Sequence, residues 1–195
     1  MRSLFARRRI FWKSLPLAIA AMLAIPKTKS AEGSIAVALD LAGLVDLSDR
    51  IVVADVVSVK SAWDDAHRTI LSTVELAVGE TWKGSVSPTR RILVVQVGGK
   101  VDGIVMFVPG QSQFQPAERA VLFLRGPEHG SRVVGLGQGK RPLRFDTATR
   151  AWMVDGGDRS AAFHIDGQGR LTAAAPEPAL VLESLRQQVR ALVRK

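Results

Sequence analysis

No cysteine occurs among the 195 residues. That excludes disulfides, thiolate zinc sites, iron–sulfur clusters and cysteine nucleophiles. Small exported domains often lean on disulfides, so this chain must be held together by packing. Long apolar runs are missing too. The run over 15–25 is about 11 residues, whereas a bilayer span needs about 20, so no stable transmembrane anchor is expected. Acids are absent from the first 31 residues, which hold seven of the 27 basic groups. The remainder carries 20 basic against 18 acidic residues, and the formal charge of +9 falls there to +2. A nucleic-acid surface needs a basic patch on the folded domain. The one candidate, the stripe of Arg186, Arg190, Arg194 and Lys195, is small for backbone binding and reads as a solvated helix face, so no nucleic acid is expected. Catalytic signatures are lacking as well. There is no Gly-x-Ser-x-Gly and no His-x-x-x-His. The run Gly135-Leu136-Gly137-Gln138-Gly139-Lys140 has the wrong glycine spacing for a phosphate loop and continues into Arg141 instead of Ser or Thr. The chain is therefore read as a non-enzyme, with no metal and no cofactor.

What is present begins with Arg7-Arg8-Arg9-Ile10-Phe11-Trp12-Lys13, followed by the short apolar run. A positive segment, a short apolar segment and small residues beyond it make a secretory signal. The spacing of Arg8, Arg9, Phe11 and Lys13 resembles the twin-arginine pattern. Arg7 stands where Ser or Thr is usual, and Trp12 where Leu is usual. The resemblance implies export to the periplasm or the exterior, of a domain folded before it crosses the membrane. Residues 1–31 are read as signal and lead-in, with cleavage between 24 and 38. Ala24 and Ala31 have Met22 and Lys29 two positions upstream. Ala36-Val37-Ala38 is the better small-x-small match, though far from the apolar run.

About 160 residues remain, enough for one domain with a full core. A hydrophobic content of 47% argues against disorder. Asp40, followed by Leu41, Leu44 and Val45, predicts a short capped helix. Residues 51–59 form a β-branched run interrupted by Asp55, which predicts a strand. Residues 61–68 are polar and turn-like. From Ile70 to Trp82 the even positions are the more apolar, as period-two burial requires. A strand that long must bend, and Gly79 is the expected bulge site. Further strands are expected over 91–97, 103–108, 120–124, 132–136, 142–145 and 151–154, with edge strands near 163–165 and 171. After Pro176 and Pro178 the period changes. Val181, Leu182, Leu185, Val189, Leu192 and Val193 then share one face of a helix. Short strands between Gly/Pro turns, with no alternating helices, predict a mainly β fold. It would be an antiparallel barrel over 39–175, with the short helix before it and the amphipathic helix over 176–195 packed on it.

Several phrases carry a resemblance: Ser48-Asp49-Arg50-Ile51-Val52-Val53-Ala54, the run from Val78 ending in Trp82-Lys83-Gly84, Gly98-Gly99, Phe114-Gln115-Pro116-Ala117-Glu118-Arg119, and Val133-Val134-Gly135 onward. Together they resemble a group of exported bacterial proteins. Their pattern is in turn similar to the OB-type barrel of netrin-like and metalloproteinase-inhibitor-like domains. The resemblance implies a small OB-like barrel. Ala117 stands where glycine is expected. The N-terminal cysteine through which the animal inhibitors reach zinc is absent, so their inhibitory chemistry does not carry over.

The expected role is binding of a protein or cell-envelope component through barrel loops 61–68, 98–103 and 109–116. Trp63, Asp64, Asp65, His67, Trp82, Phe114 and Glu118 are the candidate contact residues. Two rival readings are a hydrolase using Asp64, Asp65 and His67, and an accessory or regulator of an exported protease.

Overall fold

The computed structural model describes residues 36–194. Among these are thirteen strands and two helices, so the fold is mainly β. In chain order they are β1 (Ala36–Val37), α1 (Leu41–Leu47), β2 (Arg50–Trp63), β3 (Ile70–Lys83), β4 (Arg91–Val97), β5 (Gly99–Val101), β6 (Ile104–Met106) and β7 (Arg119–Arg125). Next come β8 (His129–Val133), β9 (Lys140–Asp146), β10 (Ala151–Val154), β11 (Ala162–Ile165), β12 (Leu171–Ala173), β13 (Leu180–Val181) and α2 (Leu182–Val193).

Eight strands join in the order β13-β10-β9-β7-β2-β3-β4-β8, and β8 also pairs with β7. The pairings β7-β2-β3-β4-β8-β7 thus return to their start as a ring of five strands. The expectation of a wholly antiparallel arrangement is corrected here: β4 and β8 run parallel, as do β1 and β11. Parity is the reason for the first. Directions can alternate around a closed ring only when the strand number is even, so a ring of five must contain one parallel contact.

Alternation along β2 and β7 explains their continuous apolar runs, because both strands are covered on two sides. Val52, Ala54, Val56, Ala120, Leu122 and Leu124 face the ring interior with Val74, Leu76, Val78, Ile92 and Val94. Ile51, Val53, Val121 and Phe123 face the other way, against Leu44 and Val45 of α1 and Leu185 and Val189 of α2. Helix α1 starts where expected: the Asp40 side chain accepts the Gly43 N–H at 2.7 Å. Helix α2 starts one residue later than its apolar face suggests, because Leu180–Val181 pairs with β10 as β13. The chain's last prolines, Pro176 and Pro178, precede β13 and do not open the helix.

Other boundaries moved as well. Strand β2 runs on through Trp63, since Ser61, Ala62 and Trp63 pair with Ser72, Leu71 and Ile70. The polar segment thus turns only beyond Trp63. Gly99 begins a strand, and β5 and β6 fold into a hairpin about Asp102 and Gly103, whose φ angles are +49° and +81°. The strand expected over 132–136 is β8, three residues earlier, because Gly135 and Leu136 take left-handed φ of +65° and +60°.

Gly79 does lie at a bulge: Val53 pairs with Glu80 and Ala54 with Val78, leaving Gly79 unpaired. One extra residue transfers the side chains beyond it to the opposite face. Trp82 consequently joins the core beneath α2 instead of the ring interior. Among the described residues, no helix is long and apolar enough to cross a membrane.

Candidate functional site

At the β2–β3 hairpin end, the mouth of the ring is closed by the β5–β6 hairpin. The buried Ser72 hydroxyl donates to the Gly98 carbonyl at 2.6 Å and pairs with the Ser61 hydroxyl at 2.8 Å, while the Gly98 N–H donates to the Ile70 carbonyl at 2.7 Å. Gly99 sits directly over this pair. Its φ is +137°, and a Cβ there would lie 2.3 Å from Ser61 Oγ and 2.4 Å from Ser72 Oγ. A side chain there would be strained and would displace the two hydroxyls, so glycine lets the hairpin approach the mouth this closely.

The opposite wall is the segment over 107–118. The Gln96 amide donates to the Ser112 carbonyl at 2.9 Å, and the buried Ser112 hydroxyl donates to the Leu136 carbonyl at 3.1 Å. Lys140, only 8% exposed, pairs with Glu118 at 2.6 Å, stands 4.9 Å from the Phe114 ring centre, and donates to the Gln113 carbonyl. Glu118 also accepts the Gln115 N–H at 3.2 Å. This wall is thus fixed by one buried amine reaching three points of it.

Between hairpin and wall lies a groove of about 320 Å³, lined by Val59, Lys100, Val105, Phe107, Gln111 and Phe114 among others. Val105 of β6 and Phe107 just beyond it line the groove and are each 67% exposed, while the neighbouring Ile104, 53% exposed, alternates to the other face of β6. The arrangement offers apolar contact area lined in addition by the Gln96, Gln111 and Gln113 amides and by Lys100. Two of the three expected loops, 98–103 and 109–116, therefore meet here. Phe114, half-buried against the ring interior, lines the groove, and Glu118 fixes its wall.

The structure does not bring the other candidates to this place. Asp64, Asp65 and His67 form a surface turn. Asp64 Oδ1 accepts the Arg68 and Thr69 N–H groups at 2.7 and 3.1 Å, and those bonds hold its carboxyl below its ordinary value. Asp65 and His67 are exposed. The Trp63 and His67 rings lie 6.2 Å apart, tilted by 39°. With its acceptor turned to the backbone, Asp64 does not converge with His67 on a cleft. Trp82 is buried. Its Nε1–H donates to Glu80 at 3.1 Å, and the Arg186 guanidinium lies 5.8 Å from its ring while also binding Glu80 at 2.8 Å. It packs in the core beneath α2. Among the described residues, no three His, Asp or Glu side chains are grouped as a metal site. Arg8, Arg9, Phe11 and Lys13 lie outside the described residues.

Sequence reasoning missed two buried cations. Lys140 is one. Arg141, 3% exposed, is the other, paired with Glu177 at 2.6 Å; Glu177 also holds Arg159 at 3.1 Å. Burial lowers the Arg141 pKa, and Glu177 opposes that. Neither lysine nor arginine is a residue type that pattern reasoning places inside. A scan against protein-family models finds no match to the chain, and no curated protein matches it significantly.

Proposed function

We propose that this chain is an exported, non-enzymatic binding domain of OB or netrin-like type, which meets a protein or cell-envelope partner at the ring mouth. The observation that carries the reading is the β5–β6 hairpin seated over Ser61 and Ser72, with Val105 on it and Phe107 just after it exposed beside a formed groove. Contiguous apolar surface on a rigid support is what interaction sites present. A five-stranded ring in which the third and fifth strands lie side by side supports an OB-like barrel. The near-balanced charge beyond residue 31 favours a partner other than nucleic acid. The Asp64 bonds to backbone amides speak against hydrolysis at that loop.

The test compares the wild-type chain with Val105→Asp/Phe107→Asp in capture from envelope extract. Both positions are exposed, so the melting temperature should stay close to that of the wild type. Partners retained by the wild type should be lost by the variant. Equal capture by both would reject the mouth as the site. Export is tested separately, with Arg8→Lys/Arg9→Lys expected to leave the chain in the cytoplasm.

A further inference from the structure

Ala36-Val37-Ala38 has the small-x-small form of a processing site, yet the fold uses these residues structurally. The Ala36 N–H donates to the Ala161 carbonyl at 3.0 Å and the Ala38 N–H to the Phe163 carbonyl at 2.9 Å. Buried Gln138 binds the next links: its Nε2 donates to the Val37 carbonyl at 3.1 Å, and its Oε1 accepts the Leu39 N–H at 2.8 Å. Gln138 Nε2 also donates to the Gly135 carbonyl at 3.2 Å. The Leu39 side chain packs against the helix-side core. Backbone groups from Ala36 to Leu39 are thus held on one side by β11 and on the other by a buried amide.

A peptidase takes its substrate as an extended strand and binds these same backbone groups. In a chain that folds before export they are already engaged. We propose that the leader is removed upstream of Ala36, and that Ala36–Leu39 is kept as a structural segment of the mature domain. This rests on the export reading above. A leader peptidase would hydrolyse one peptide bond there, water supplying the hydroxyl of the new carboxylate and a proton of the new amine. Of the three sites weighed in the sequence, Ala24 and Ala31 remain. Cleavage after Ala38 would remove β1 and leave Gln138 Nε2 with the Gly135 carbonyl as its one acceptor, the second N–H losing its partner.

The experiment uses the full-length chain in a bacterium that has the twin-arginine pathway. The intact mass of the exported product should place its first residue at or before Ala36, and Ala38→Leu should leave processing unchanged. A product beginning at Leu39, or a block by Ala38→Leu, overturns the proposal. Hydrogen exchange on the purified full-length chain decides the structural half independently. The Ala36, Ala38 and Leu39 amides should exchange about tenfold or more slowly than an unstructured chain, and exchange at the unstructured rate overturns it. A chain exported equally well with Arg8→Lys/Arg9→Lys would instead remove the twin-arginine reading, while mass and exchange would still decide where the mature domain begins.

Discussion

Two small residues in the ring-mouth region have opposite relations to their backbone. Ala117 has φ of +66°, a conformation that costs an L-residue about 1–2 kcal/mol. Ala117→Gly removes that cost, and the extra freedom of the unfolded glycine returns part of it. A net gain of about 0.5–1 kcal/mol in denaturant unfolding is expected. Gly99 is the reverse case. Gly99→Ala must displace the bonded Ser61 and Ser72 hydroxyls, and strain of this kind costs about 1–3 kcal/mol, with Val105 and Phe107 expected to become more mobile in hydrogen exchange or NMR. Asp64 adds a pH dependence. Its carboxyl is held below the ordinary value of 3.8 by the Arg68 and Thr69 N–H groups. Its contribution is thus present above that value and lost as pH falls through the lower native one. Asp64→Ala should be less stable than the wild type at neutral pH, the gap narrowing below about pH 4. A gap unchanged down to pH 2 would show that the carboxylate bonds are not its source.

Among elements, the wall over 107–118 depends on a buried ion pair whose members are unequally placed. The Lys140 side chain is 9% exposed and that of Glu118 is 21%. Glu118→Gln leaves the more buried charge without its counter-ion and should cost about 2–4 kcal/mol, toward the low end if water reaches Lys140. Lys140→Met leaves a carboxylate that can turn toward solvent, and should cost less. The order of the two in thermal melts tests the assignment, and a reversed order would place the dominant desolvation on Glu118. Element by element, the sequence was readable where a local rule decided the outcome: alternation in β3, the Asp40 cap, the bulge at Gly79, and the centre of α2's apolar face at Leu185 and Val189, whereas Val181 and Val193 at its ends are exposed. It was not readable where a distant partner decided. β1 and β13 are two residues each, too short for any period, and exist because β11 and β10 offer them edges. Trp82 changed sides because bulging on β3 is counted against β2, which the periodicity of β3 alone does not register. Lys140 and Arg141 are buried because Glu118 and Glu177 meet them in the folded chain. The two loops and Phe114 that line the groove were among the expected contacts, but the exposure of Val105 was not foreseen, since the run over 103–108 was read only as a short strand and a strand's open face depends on which neighbours cover it.

Across the whole molecule, β2 and β7 are the common wall of both cores. Val52 and Leu122 face the ring interior, while Val53 and Phe123, their direct neighbours in sequence, face the helices. Neither core can lose its packing without exposing one face of these strands. The two are therefore expected to unfold together. Leu185→Ala, in α2, removes a side chain that is 1% exposed and should cost about 2–5 kcal/mol. Leu76→Ala, in the ring interior, should cost a similar amount. If the cores are coupled through the shared strands, either substitution lowers one transition, followed in common by far-ultraviolet circular dichroism of the sheet and by the fluorescence of Trp82 in a background where Trp12, Trp63 and Trp152 are replaced by Phe. Closure of the ring adds to the coupling, because β8 touches β7 through only two residue pairs, Leu124 with Val133 and Arg125 with Arg132. A ring joined so briefly has little to hold it once the β2–β7 wall loosens. If Leu185→Ala moved the fluorescence transition well below the circular dichroism transition, the helix-side core would be a separable layer. The ring would then keep its packing after α2 had come away, and the circular dichroism of the sheet would persist through the fluorescence transition.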